Sequence, residues 1–200
     1  MNTATRPYRQ SARAEQAAET GRRIVAEFRR LLADRWLDEI TLDEVAASAG
    51  VTVQTVIRRF GGKQGLIEAT IDTMRMEVPA TRAAAPGEIG AGIAGLVKDY
   101  ETTGDMVVRI LAQESRQPAF GHALAHGRAG HRAWVEALFG PLLPAAKPLR
   151  ERTIAALVGA TDVYMWQILR RDQRRSAKET ERVMRLLVDG AIVAARQQAA

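Results

Sequence analysis

Gln54, Thr55, Arg58 and Arg59 are the side chains whose types and spacing suggest a definite chemistry. On a single helix they turn to a common outer face, while Val56 and Phe60 form the inner one. An amide side chain can bond adenine through two hydrogen bonds, and a guanidinium can do the same for guanine. A threonine methyl can lie against the methyl of thymine. From Val51 to Leu66 there are three basic residues and no acid, a surface that suits a polyanion. An ordinary solvated helix face has a similar composition; what separates the two is the frame that positions these residues.

That frame is readable on both sides. Thr41 with Glu44 makes a Ser/Thr-x-x-Glu capping box, which predicts a helix starting after Thr41. Leu42, Val45, Ala46 and Ala49 recur at three- and four-residue steps and give it one apolar face. Gly50 can take the left-handed conformation that ends the helix, and Val51 is placed to plug the angle that follows. Thr52 caps a second helix. Two short helices joined by a tight turn make a helix-turn-helix, the second helix carrying the base-reading side chains.

The same residues resemble the TetR-type (TetR/AcrR) transcriptional regulator family. They are Thr41-Leu42-x-x-Val45-Ala46, Ala49-Gly50-Val51-Thr52, Thr55-Val56-x-x-x-Phe60, Lys63 and Leu66, and the resemblance covers roughly residues 20–70. The family usually has tyrosine where this chain has Ile57, and often histidine where it has Arg59. That tyrosine commonly touches a phosphate, so Arg58 or Arg59 is the expected substitute. The expected DNA-binding set is Thr41, Thr52, Val53, Gln54, Thr55, Arg58, Arg59 and Lys63. Within it Gln54 and Arg58 or Arg59 are the base readers. Lys63 sits at the start of the next helix, where free amides and the helix dipole also attract a phosphate. Thr41 and Thr52 cap helices, and their hydroxyls are candidates for further phosphate contacts.

Composition limits the alternatives. The chain has 200 residues, 46% hydrophobic and 26% charged, as in a globular protein, and no run of apolar residues long enough to span a bilayer. The absence of cysteine excludes disulfides and thiolate metal sites and agrees with a cytoplasmic location. No apolar stretch follows the N-terminal arginines, so no secretory signal is read there. The net charge of +6 divides into +1 over residues 1–78 and +5 over residues 79–200, so charge supports DNA binding only through local arrangement.

The expected fold is all-α, with about nine helices. Residues 1–10 read as a flexible arm carrying Arg6 and Arg9, and residues 11–62 as a three-helix helix-turn-helix head. In its first helix Gly21, Ile24, Val25, Phe28, Leu31 and Leu32 share a face. A connecting helix covers 63–78, and Pro79–Gly87 breaks the chain. Residues 79–200 form the ligand-binding and dimerisation body. There the patterns predict helices at roughly 88–103 and 105–114 separated at Gly104, then 119–139, 149–171, and a last helix ending near Ala195. Ser176 with Glu179 makes a second capping box ahead of that last helix.

The resemblance implies a homodimer bound to double-stranded operator DNA and released by an effector. Pairing of the two terminal helices would place Ile154, Leu157, Thr161, Ile168, Val183, Leu187 and Gly190 at the subunit interface. Gly159, Ala160, Gly190 and Ala191 would permit close approach. The effector is expected to be small and hydrophobic or amphipathic. Its candidate liners are Tyr100, Met106, Phe120, Trp134, Phe139, Tyr164, Met165 and Trp166, each of which equally fits a plain core. His122 and His126 are four apart, with His131 nearby, but no ligating acid or cysteine adjoins them, so no metal is expected. No cofactor motif or catalytic set is visible, and an enzyme is not expected. A constitutive DNA-binding protein without an effector is one alternative. A small helical enzyme acting on an anionic substrate is the other.

Overall fold

The computed structural model describes residues 5–199, the side chains of residues 5–12 and of Ala119 excepted. Among these residues it has nine α-helices and no strand. They are α1 (Thr5–Asp34), α2 (Leu42–Ser48), α3 (Val53–Phe60), α4 (Lys63–Thr81), α5 (Ile89–Ala112), α6 (Pro118–Phe139), α7 (Lys147–Ala160), α8 (Val163–Gln167) and α9 (Ala177–Ala199). The chain forms two compact units, Met1–Thr73 and Met74–Ala200, and α4 runs through the boundary.

The first unit closes on a small core. Ile24, Phe28 and Leu32 of α1 meet Ile40, Val45, Val56 and Leu66, all with 1% exposure or less. The face read from the 3.6-residue period of α1 is the buried one. Polar ties fix the helices around it. Arg23 Nε donates to the Ala49 carbonyl at the end of α2 (2.8 Å), and Arg35 pairs with Glu44 (2.6 Å). Residues 1–4 of the expected arm lie outside the described residues. Residues 5–10 are the start of α1, and the side chains of Arg6 and Arg9 lie outside what is described.

The second unit is a bundle in which α5 packs on α8 and α9, and α7 on α6 and α9. Its core runs from Ile89, Ile93, Leu96 and Tyr100 through Phe139, Leu157 and Trp166 to Met184, Val188 and Ile192. Full burial of each such side chain is worth about 1.5–3 kcal/mol, so this cluster dominates the unit's stability.

Four helix boundaries differ from expectation. Helix α4 does not stop before Pro79 but continues to Thr81, its last turn closed by the Arg82 N–H bonding the Val78 carbonyl (3.0 Å). Proline costs such a turn a single hydrogen bond. Gly104 is no break; α5 is continuous. A Cβ on Gly104 would collide with the Trp166 ring, so the glycine is there to let the indole approach the backbone. The expected helix over 149–171 is interrupted after Ala160. Asp162 then caps α8, its carboxylate accepting the Tyr164 N–H at 2.9 Å, and α8 runs into a π-helical turn at Ile168–Asp172. Helix α9 extends past Ala195 to Ala199.

Candidate nucleic-acid interface

Helix α2 starts as its capping box requires. Thr41 Oγ1 accepts the Glu44 N–H (3.2 Å), and the Glu44 carboxylate accepts the Thr41 N–H (2.8 Å). Hydrogen bonds from Arg35 and from Thr41 hold that carboxyl down at about 2, so it is ionised at neutral pH and complements the helix N-terminus. The turn passes through Gly50 at φ 62°, a left-handed conformation that a side chain would disfavour. Helix α3 is then capped by Thr52, whose Oγ1 accepts the Thr55 N–H (3.2 Å) and lies 2.9 Å from the Thr55 hydroxyl. Val56 is fully buried and anchors the inner face.

The outer face is open where base reading needs it. Gln54 and Arg58 are exposed and, among the described residues, engage no hydrogen-bond or ion-pair partner. Val53 and Thr55 are half-buried beside them, and Ile57 is 41% exposed. Thr41 and Thr52 are committed to their caps.

Two expected contacts have local duties in the structure. Lys63 Nζ donates to the Leu37 carbonyl (2.9 Å) and ties the start of α4 to the loop before α2. An ammonium has three donors, so two remain for a phosphate. The Arg59 guanidinium lies along α1, where a Cβ on Gly21 would collide with it, and stacks over Phe60 at 5.8 Å. Arg59 is thus laid against α1, and Arg58 is left as the unengaged guanidinium of α3.

The structure adds side chains that sequence reasoning missed. A groove of about 500 Å³ runs between α1 and α3, lined by Arg13, Gln16, Ala17, Thr20, Thr55, Arg58 and Arg59. Three arginines and no acid line it, a setting for an anionic backbone beside the reading face. The sequence carries eight arginines against four acids over residues 6–35, but periodicity assigned α1 only its inner face.

The second unit sorts its own candidates. Tyr100, Met106, Phe120, Phe139 and Trp166 are buried, and Tyr100, Phe139 and Trp166 belong to the hydrophobic core. Trp134 and Met165 pack against that core, whereas Tyr164 is 48% exposed. Of the expected interface set, Ile154, Leu157 and Thr161 are at 1% exposure or less within the chain's own fold, and Val183 packs partly on the core. These four face inward because α9 buries Met184, Val188, Ile192 and Ala195 against α5 and α7. Ile168 and Leu187 are 42% and 40% exposed, and Gly190 is exposed with them. Sequence reasoning did not separate the two apolar faces of α9; Leu186 and Val193, at 71% and 51%, also lie on the outer one.

His122 and His126 are exposed, and among the described residues no group of three or more His, Asp or Glu is arranged to hold a metal. No helix of the described residues is long and apolar enough to cross a membrane.

Residues 24–70 match the family described as bacterial regulatory proteins, tetR family. No curated protein sequence matches the chain. Several solved structures share its fold. A transcriptional regulator from Rhodococcus sp. Rha1 is 15% identical with a TM-score of 0.70, over 87% of this chain and 96% of that one. A provisionally assigned TetR-family transcriptional regulator from Mesorhizobium loti is 18% identical with a TM-score of 0.63, over 89% and 97%. Another provisionally assigned member, from Rhodococcus sp., is 16% identical with a TM-score of 0.63, over 87% and 99%.

Proposed function

We propose that this chain, a helix-turn-helix regulator of the tetR family by its residues 24–70, is a dimeric repressor that binds a palindromic operator and is released by a small effector. The observation that carries the DNA reading is the exposure of Gln54 and Arg58, without partners among the described residues, on the outer face of a helix whose inner face is locked by Val56. Gln54 and Arg58 read bases, while Thr55, Lys63, Arg59 and the α1 groove residues Arg13 and Gln16 meet the backbone.

The dimer reading is supported by the outer face of α9. Leu186, Leu187 and Val193 are exposed there, and a Cβ added at Gly190 would meet nothing within 4 Å. A second copy would bury this face, and two recognition helices would address two half-sites. Effector release works through α4, the helix that runs through the boundary of the two units. A ligand can shift it only by binding one conformer of the body more tightly than another. Because five of the expected liners are buried, a hydrophobic or amphipathic effector enters by repacking them.

The test is footprinting on the DNA around the protein's own gene, followed by binding measurements on the protected sequence. Gln54→Ala is expected to cost about 1–3 kcal/mol on that sequence and little on random DNA. Leu187→Arg is expected to shift the protein to monomer in sedimentation and to weaken operator binding with it. Equal loss on operator and random DNA would remove Gln54 from the base-reading role, and a monomeric wild type that binds tightly would remove the dimer.

A further inference from the structure

Charged groups meet inside the second unit where an apolar core would be the simpler solution. Arg82, the residue after α4, is 9% exposed, Asp99 of α5 is 4%, and Thr161 between α7 and α8 is fully buried. Arg82 Nε donates to Asp99 Oδ2 at 2.7 Å, and Nη2 pairs with the same oxygen at 2.5 Å. Asp99 Oδ1 accepts from the Thr103 hydroxyl at 3.3 Å. The guanidinium lies 4.8 Å from the Tyr100 ring centre and 5.9 Å from that of Trp134. Trp134 Nε1 donates to the Arg82 carbonyl (3.2 Å), so the backbone of Arg82 is held as well.

His131 of α6 completes the cluster, and its neighbours dictate its protonation. Arg82 Nη1 is 3.2 Å from Nδ1, and a guanidinium can only donate, so Nδ1 must accept. The ring proton then sits on Nε2, 3.1 Å from Thr161 Oγ1, and that hydroxyl donates onward to the Leu157 carbonyl at 2.7 Å. The Tyr100 hydroxyl donates to the Thr161 carbonyl at 3.1 Å. Residues from α5, α6 and the α7–α8 junction thus converge on the one residue that follows α4.

We propose that Arg82, Asp99, His131 and Thr161 form a proton-operated latch: neutral His131 holds Arg82, and with it the C-terminal end of α4, and protonated His131 lets it go. A proton on Nδ1 sets donor against donor and cation against cation. Among the described residues no free carboxylate compensates. Asp99 is engaged by Arg82 and Thr103, and Asp162 caps α8, leaving it and the Val158 carbonyl as weak support for a charged ring. On α6 itself, Arg128 pairs with Glu114, and Arg132 with Glu136 and Glu151. Burial keeps the Tyr100 phenol protonated by raising its pKa. Burial first, and the charge of Arg82 second, push His131 from 6.5 down to about 4. The folded-state value lies below the free one, so the latch's stabilisation is complete above pH 6.5 and is lost as pH falls through about 4. The effect of opening on DNA binding depends on α4 linking the units as proposed; the latch itself does not.

The ring of His131 stacks on Trp134, with centroids 5.6 Å apart and 17° between planes, and this supplies the reporter. An imidazolium quenches a stacked indole far more than the neutral ring does. The full-length protein is titrated from pH 7 downward by tryptophan emission, far-UV circular dichroism, histidine NMR, and hydrogen exchange corrected for intrinsic rate. Expected is a loss of emission that tracks the His131 resonance through its lowered value of about 4, with helicity retained. In the same step the peptide over residues 74–88 should exchange about tenfold faster, the scale of one buried hydrogen bond. His131→Gln, which can still accept from Arg82 and donate to Thr161, should abolish both changes. Titration of His131 at the free value of 6.5 would overturn the latch. So would unchanged exchange at 74–88 as His131 titrates, the same opening in His131→Gln, or loss of all helix in that step. None of these readouts involves DNA, so failure of the latch and failure of the repressor reading are separate results.

Discussion

In the first unit the side chains with functional promise point outward: Gln54 and Arg58 are exposed and, among the described residues, held by nothing around them. In the second unit the groups of greatest chemical consequence point inward: Arg82 and Asp99 are almost wholly enclosed and bonded at 2.7 Å. The first arrangement leaves donors and acceptors free for a partner and contributes nothing to folding. The second satisfies the groups it buries and makes folding depend on all of them. A recognition surface therefore tolerates truncation without loss of structure, whereas a buried polar cluster does not. The caps show the same division on a smaller scale. Thr41 and Thr52 sit at the edge of the reading face, yet their hydroxyls are spent on the backbone.

The largest expected effect follows from the inward arrangement. Asp99→Ala leaves the Arg82 guanidinium buried between Tyr100 and Trp134 with no anion, and removal of one partner from a buried pair costs about 3–5 kcal/mol. Urea unfolding followed by tryptophan emission measures it. A loss below about 1 kcal/mol, the range of exposed pairs, would mean that the cluster is wet and that the contrast between the units is wrong.

How much of this was legible depended on whether a local signal existed. The helix-turn-helix was, because Thr41, Glu44, Gly50 and Thr52 act on backbone within three residues of themselves, and caps and turns are local chemistry. The inner face of α1 was legible for a similar reason: one helix over one small core has a single apolar stripe. In the second unit α9 meets core on one side while its other side carries exposed apolar residues, and periodicity could not assign Leu186 and Met184 to opposite faces. Gly104 was read as a break because a glycine in a pattern says only that a side chain is unwelcome; that Trp166 fills the space is known from tertiary contact alone. The Arg82–Asp99–His131 cluster spans 49 positions of chain, and the trace it left was an acid inside the apolar stripe of Ile93, Leu96, Val97 and Tyr100. Lys63 was assigned to a phosphate from its place at a helix start, and its bond to the Leu37 carbonyl, 26 positions away, had no local sign.

The smallest expected effect tests the boundary between fold and function inside the reading helix itself. Thr52 and Gln54 are two residues apart, both exposed. Thr52 Oγ1 accepts the Thr55 N–H, and loss of such a cap costs about 1 kcal/mol of stability. Thr52→Ala should therefore lower the thermal midpoint of the first unit and weaken binding to operator and random DNA alike, since it loosens the start of α3 as a whole. Gln54→Ala should leave the midpoint where it is and act on the operator alone. Differential scanning calorimetry beside binding on the two DNAs separates them. If Thr52→Ala proved sequence-selective with no change in midpoint, its hydroxyl would be reading DNA rather than capping α3, and the division drawn between the two units would have to be redrawn within the first.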